Sequence, residues 1–396
     1  MAPDPGRVAK LMEEEALDGL IATTPGNLLY LCGLWDPSLS GYPWETQDFA
    51  LVSRDRIDQV ILVLHHGGLD LASHLSCVAD TVAYGSFARY VAPGVERNAA
   101  EELFKARAVS REPKADATSA LAEAIRMSGL HTARIGLDER GFHGDLAQLR
   151  GMLPRAEIVQ ASAVFSRIRS VKTPQEIAKL RAAVRVTEES VLEAVSQARE
   201  GISEDEMARQ IKTSLVARNA TPTFLYLKFG RQSGISQVSL PDAYLEKGDT
   251  IWIDIGCRLD GYCSDIARTF AFGEPSARAR SIYQSLLAGE DAGLAAIRPG
   301  TKACAIFDTT MKAVQEAGIP DYRRHHVGHG IGLDTYDLPL LAAKDNTNLE
   351  AGMVLDIETP YYEIGTGALH VEDTFLVTGR GAELLTTMTR ELHVLE

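Results

Sequence analysis

Apolar positions recur in this chain with two periods, and the switching between them lays out its elements. Val8, Leu11 and Met12 follow Asp4-Pro5 at helical spacing, with the proline placed to open a helix. The run GLIAT at 19–23 reads as a buried strand. Pro25-Gly26-Asn27 breaks it, and a short apolar segment follows at 28–32. Residues 49–53 and 59–64 read as strands around a polar turn, and His65-His66 as the solvated end of the second rather than a metal pair. A helix at 115–128 and a strand at 133–137 continue the alternation, which describes an α/β region of about 160 residues. After a join near 166–171, Thr173-Pro174-Gln175-Glu176 is a capping box with proline at the first helical position. Ile177, Leu180, Val184 and Val191 then mark a long amphipathic helix. Ser203 to Glu206 repeats the box ahead of Met207, Ile211 and Leu215. Two more helices are predicted, at 276–297 and at 303–317, the second closed by Gly318 and Pro320. Strands dominate the remainder, so that a helix pair, a hairpin, a second helix pair and more strands suggest an internal repeat of architecture.

The stretch 248–273, GDTIWIDIGCRLDGYCSDIARTFAFG, carries the first chemistry. Two β-rich runs flank Asp260-Gly261, a signal for a type I′ hairpin. A two-residue turn there pairs Gly256 with Asp265, so Asp254 and Asp265 share a face as diagonal neighbours while Ile251, Ile253 and Ile255 take the other. Carboxylates set in so apolar a strand are costly unless a charge compensates them, and a divalent cation would do so. On the hairpin alone, an ordinary exposed face with two aspartates reads equally well. Distant runs change that balance. Gly328-His329-Gly330-Ile331-Gly332, Val354-Leu355-Asp356-Ile357-Glu358 and His370-Val371-Glu372-Asp373 add an imidazole and further carboxylates among apolar neighbours. Two Asp, one His and two Glu form an oxygen-rich set suited to hard or borderline divalent ions, and five such ligands suit a two-metal centre. The Gly328–Gly332 glycines are no phosphate loop, because no GKS or GKT follows them.

These motifs, IDIG…GYCSDIARTF, GHGIGL, MVLDIETPYY and HVEDTFLVT, resemble those of the pita-bread-fold metallohydrolases: Xaa-Pro aminopeptidases and dipeptidases, methionine aminopeptidases and creatinase. The resemblance implies that Asp254 binds one metal, that Asp265 and Glu372 bridge two, and that His329 and Glu358 complete the second. It implies two divalent ions, Mn²⁺ first and Co²⁺, Zn²⁺ or Fe²⁺ as tolerated substitutes. The activity implied is hydrolysis of an amide-type C–N bond in a small peptide or small amide, with Glu358 serving as ligand and passing a proton. His326, three residues before His329, matches a histidine that lines the substrate pocket of the peptidases and is the second expected catalytic group; His325 reads as a bystander. The implied fold is an N-terminal creatinase-type α/β domain at 1–165 followed by a pita-bread catalytic domain at 166–396, α/β (α+β) overall.

Three positions depart from the peptidase pattern. Gln237 stands where a histidine usually precedes the hairpin by about a dozen residues. Tyr336 stands seven residues after His329, where a second substrate-side histidine is usual, and His370 replaces an arginine two residues before the last Glu. All three are assigned to substrate binding, and they leave open a non-peptidase on the same scaffold, similar to creatinase, ectoine hydrolase or dimethylsulfoniopropionate lyase and acting on a small amide, amidine or onium compound. The segment 33–47 is rich in aromatics and free of Lys and Arg. In creatinase-like dimers such loops reach the partner's active site, so Trp35 and Trp44 are expected to wall a pocket and the protein to be a homodimer.

Composition narrows the partners. The 396 residues exceed one typical core, and 45% hydrophobic with 24% charged residues is ordinary for a globular protein. A net charge of −14 argues against nucleic acid and anionic membranes. No run approaches a transmembrane span, and the acidic N-terminal stretch lacks the apolar segment of a signal peptide. The five cysteines are odd in number and contain no CxxC, which reads as a reducing, cytoplasmic compartment.

Overall fold

The computed structural model describes residues 3–36, 39, 46–109 and 111–395, and divides the chain into two compact units, Met1–Arg169 and Ser170–Glu396. In the first unit six strands, β1 (Gly19–Ala22), β2 (Phe49–Ser53), β3 (Arg56–His65), β4 (Val78–Tyr84), β5 (Arg134–Leu137) and β6 (Glu157–Gln160), form one mixed sheet in the order β4-β3-β2-β1-β5-β6. Asp4 caps the first helix, Pro5–Glu14, by accepting from the backbone of Gly6 and Arg7. Two details differ from the sequence reading. Thr24 and Pro25 break the strand by starting a helix, Pro25–Cys32, with Thr24 Oγ1 accepting from Asn27 N at 3.4 Å. His66 is buried rather than solvated, and its Nε2 lies 2.6 Å from the carbonyl of Ala108, a partner 42 residues away.

The second unit is organised by a ten-stranded sheet whose main path runs β12-β11-β13-β16-β10-β8-β7. Its strands are β7 (Thr221–Phe229), β8 (Thr250–Leu259), β9 (Tyr262–Cys263), β10 (Ile266–Phe272), β11 (Gly328–Gly330), β12 (Asp337–Leu340), β13 (Val354–Glu358), β16 (Glu372–Thr378), β17 (Gly381–Leu384) and β18 (His393–Leu395). β14 (Tyr361–Glu363) and β15 (Gly367–Leu369) pair separately. The turn at Asp260-Gly261 has positive φ at both residues, 49° and 88°, as a type I′ hairpin requires. The hairpin register places Ile255 opposite Ile266 and Asp254 opposite Ala267.

Two helix pairs cover one face of this sheet. Helices Pro174–Val195 and Glu204–Ala217 bury Val191, Ile211 and Leu215 against Ile251, Ile253 and Ile255 of β8. Helices Ala277–Ala296 and Ala303–Ala317 belong to the clusters that bury Leu355 and Ile357 of β13, Phe375 of β16, and Leu369 and Val371. Each such aliphatic or aromatic side chain contributes about 1.5–3 kcal/mol on leaving water. The capping box at Thr173 forms in full, while at Ser203 only half of it does, and Glu206 turns instead to Arg199 at 2.6 Å. Because side chains alternate along a strand, packing the Ile and Leu positions under the helices forces Asp254, Asp356 and Glu358 to the opposite face.

Among the described residues no helix is long and apolar enough to cross a membrane. All five cysteines are free.

Candidate metal centre

The central strands deliver the acidic residues by register. β11 pairs with β13 so that His329 lies opposite Asp356, and β13 pairs with β16 so that Glu358 lies opposite Glu372. Only a glycine fits at 328: its φ is 141°, and a Cβ there would meet the Asp356 carbonyl at 2.0 Å. That close crossing seats the His329 ring between two carboxylates. Its Nε2 is 3.6 Å from Asp265 Oδ2, and its Nδ1 is 3.7 Å from Asp356 Oδ2 and 3.0 Å from the Gly330 carbonyl. Asp265, His329, Asp356 and Glu372, all buried, each offer one donor atom within 4.8 Å of the others. Asp254 and Glu358 join Asp265 and Glu372 in lining a cavity of about 460 Å³ over this cluster.

Electrostatics set the cluster apart. Burial, then repulsion from Glu358, pushes the Asp254 carboxyl up to about 8. Burial and mutual repulsion push Asp265 and Glu372 well above the carboxylate range, and burial does the same to Asp356. Glu358 goes the other way: burial would raise it, but His326, His370 and Arg324 outweigh that and hold it well below. Asp265 Oδ1 and both oxygens of Asp356 are buried without a hydrogen-bond partner. A pocket that gathers unpartnered oxygens and lone-pair nitrogens while repelling its own charge has the chemistry of a divalent-cation site, so the residues present fit such an ion.

The remaining expected residues divide. His326 is buried, with Nδ1 3.0 Å from Glu358 Oε1 and 3.3 Å from the Gly328 backbone N–H; it can donate to the first or accept from the second, not both. Tyr336 stacks on the His329 ring at 3.7 Å between centroids. His370 is buried, with Nε2 3.4 Å from Glu358 Oε2. Gln237 lines the pocket and bonds the Tyr362 hydroxyl. Trp35 belongs to the other unit and is 43% exposed, and Trp44 lies outside the described residues.

Three residues of the site escaped the sequence reading. Asp356 was visible inside VLDIE, two positions from Glu358 and so on its face, but was given no role. His325, read as a bystander, lines the pocket. Arg324 lines it too, with Nη2 3.5 Å from Glu358 Oε2 and Nε buried without a partner. It precedes the strand in irregular backbone, where no periodicity marks its direction.

Comparison with known proteins agrees with this geometry. An Xaa-Pro dipeptidase of Pyrococcus furiosus is 32% identical over 238 residues, which cover 60% of this chain and 68% of that protein. The solved structure of an Xaa-Pro dipeptidase from Bacillus anthracis overlays with a TM-score of 0.77 at 24% identity and 99% coverage of both chains. Dipeptidase PepE from Mycobacterium ulcerans overlays at 0.79, with 24% identity and coverage of 98% and 96%. The two overlays establish the fold, at identities too low to carry more. Residues 6–171 match the Creatinase/Prolidase N-terminal domain, and residues 178–379 match Metallopeptidase family M24 across the whole of the acidic cluster, so the chain belongs to that family of metal-dependent hydrolases.

Proposed function

We propose that the protein hydrolyses Xaa-Pro peptides at a dinuclear metal centre. The observation that carries this is the buried set of mutually repelling carboxylates at the base of a peptide-sized cavity. Asp254, Asp265, His329, Glu358 and Glu372 would hold two divalent ions, Mn²⁺ first. When bound, such ions supply the Lewis acidity that activates water and polarises a carbonyl oxygen. Glu358, 3.0 Å from His326, would be the group that holds and passes a proton during hydrolysis. Partial burial and then the neighbouring carboxylates, Glu358 first, raise the Tyr336 hydroxyl, so it stays protonated at the cavity wall even though the side chain is 59% exposed. The alternative of a small amide, amidine or onium substrate is not favoured, because the relatives carry dipeptidase and peptidase names. We further propose that Trp35 and Trp44 complete the pocket of a second copy in a homodimer. Trp44→Ala should then raise KM without releasing metal, and a strictly monomeric, fully active protein in sedimentation would rule that out.

The test of the main reading is steady-state hydrolysis of Xaa-Pro dipeptides and matched dipeptides without proline, with Mn²⁺ and after chelation. Turnover of the Xaa-Pro series that stops on chelation and returns with metal is expected. Activity that survives complete chelation, or turnover of the proline-free series alone, would contradict it.

A further inference from the structure

The five donors assigned above leave one ring unexplained. His370 is 1% exposed. Its backbone is pinned twice to Thr269, whose Oγ1 accepts from His370 N at 2.9 Å and donates to His370 O at 3.1 Å. Neither ring nitrogen makes a hydrogen bond of good geometry, and the one close contact, Nε2 to Glu358 Oε2, is a long one that helps hold that acid low. Yet Nε2 stands 3.4 Å from Glu358 Oε2 and 4.0 Å from Glu372 Oε2, and Nδ1 stands 4.0 Å from Asp254 Oδ2. Three of the five assigned donors therefore surround it.

A buried imidazole present only for packing or structure should satisfy its nitrogens, since an unpaired polar group keeps its full desolvation penalty. With three carboxylates in reach, this ring makes a good hydrogen bond to none of them. The two spacings from Nε2, to Glu358 and Glu372, are those of donors that share an ion: groups about 2.0–2.2 Å from one metal lie about 3–4 Å from each other. Arg324 approaches Glu358 and makes no hydrogen bond to either imidazole nitrogen.

We propose that His370 Nε2 is a sixth protein donor of the metal centre, on its Glu358–Glu372 side. This rests on the reading of the cluster as a metal centre. With His329 it gives the centre two imidazoles, and a nitrogen-richer centre favours Co²⁺ and Zn²⁺ over Mn²⁺ more strongly than the five-donor set would.

The test reads metal binding rather than turnover. Full-length protein stripped of metal is titrated with Co²⁺ and with Mn²⁺ against a chromophoric chelator, as wild type and as His370→Gln. The variant should lose about 10-fold or more in Co²⁺ affinity and clearly less for Mn²⁺, so that the preference for Co²⁺ narrows. X-ray absorption of the Zn²⁺-loaded wild type needs no variant and should show scattering from two imidazoles per centre. One imidazole per centre, or equal losses for the two metals, would overturn the proposal while leaving the metal centre intact. Failure of the wild type to bind either ion would overturn both together.

Discussion

Glu372 and Asp373 are neighbours on β16, both fully buried, and they face opposite sides of the sheet. Asp373 points toward the helices. There Arg268 pairs with it, Arg390 Nε approaches it at 2.7 Å and Thr386 Oγ1 donates to it at 2.5 Å. Burial would raise its carboxyl, but Arg268 first and then Thr386 hold it low. Glu372 points the other way and meets Asp265, Glu358 and Asp254, which with burial push it well above its ordinary range. Arg268 reaches Glu372 as well, but at the main-chain carbonyl, 2.5 Å from Nη1, and so leaves the carboxylate uncompensated. The first unit offers a third solution. Asp138, also buried, is satisfied by Thr23, Thr24, Asn27 and Ser162 without any cation, and those bonds outweigh burial to hold it low. Asp373 is paired with cations and Asp138 is hydrogen-bonded at both oxygens. Asp265 and Glu372 of the cavity meet mainly other acids, while Glu358 beside them is held low by His326, His370 and Arg324, so the cavity concentrates carboxylates that the protein's own cations offset only at Glu358.

The same substitution on the two faces should therefore do opposite things. Asp265→Ala should release metal and lower kcat/KM by at least roughly 10²–10³, read by elemental analysis and steady-state kinetics. In the metal-stripped protein, Asp265→Asn removes a repelling charge and should leave stability unchanged or raised. Asp373→Asn strips the buried Arg268 of its partner and should cost about 3–5 kcal/mol in urea denaturation. Equal losses for the two Asn variants would erase the distinction.

The next effect concerns catalytic help at the cavity wall. Gln237 cannot carry a proton near neutral pH, and the Tyr336 hydroxyl, though it can donate and accept hydrogen bonds, stays protonated there and cannot replace an imidazole as acid and base. Well-placed acid–base help is worth roughly 10²–10⁴ in rate, so wild-type turnover of Xaa-Pro peptides should be weak and Gln237→His/Tyr336→His should raise it. A wild-type kcat/KM already at about 10⁴ M⁻¹s⁻¹ or above would refute this.

Acidity separates the two faces again. The folded-state carboxyl of Asp254 is raised to about 8, so its contribution to the metal-stripped protein is fully present below the unfolded value near 4 and is lost as pH rises through 8. Asp373 is depressed, so its contribution is present above that unfolded value and lost as pH falls through its lower folded-state value. Thermal melts with chelator should show stability falling from pH 5 toward 8, and added Mn²⁺ should stabilise more at pH 8 than at pH 6, because metal displaces protons. Metal stabilisation that is the same at both pH values would count against the account. The smallest effect belongs to the hairpin. Gly261→Ala, at φ 88°, should cost about 1 kcal/mol without changing metal content.

Much of this contrast was legible in the sequence where strand periodicity and a turn coincide. Asp260-Gly261 sets the hairpin, and period two then puts Asp254 and Asp265 on one face. The same rule put Asp356 beside Glu358, yet periodicity names a face and not a partner, so nothing told Asp356 apart from a hydrogen-bonded acid such as Asp138. Arg324 and His325 lie in irregular backbone before β11, and His66 is buried by a carbonyl far along the chain; neither leaves a local pattern to read. Thr24-Pro25 shows its signal openly, a cap followed by a proline, which starts the helix as well as ending the strand.

The most direct measurement is the number of divalent ions per chain after equilibrium dialysis against Mn²⁺, for the wild type, Asp265→Asn and Asp373→Asn, each checked for folding by circular dichroism. Expected are two ions in the wild type, loss of metal in folded Asp265→Asn, and retention by Asp373→Asn under conditions where it stays folded. A wild type that binds none, or a folded Asp265→Asn that keeps its full complement, would contradict the claim that the uncompensated acids exist to hold metal.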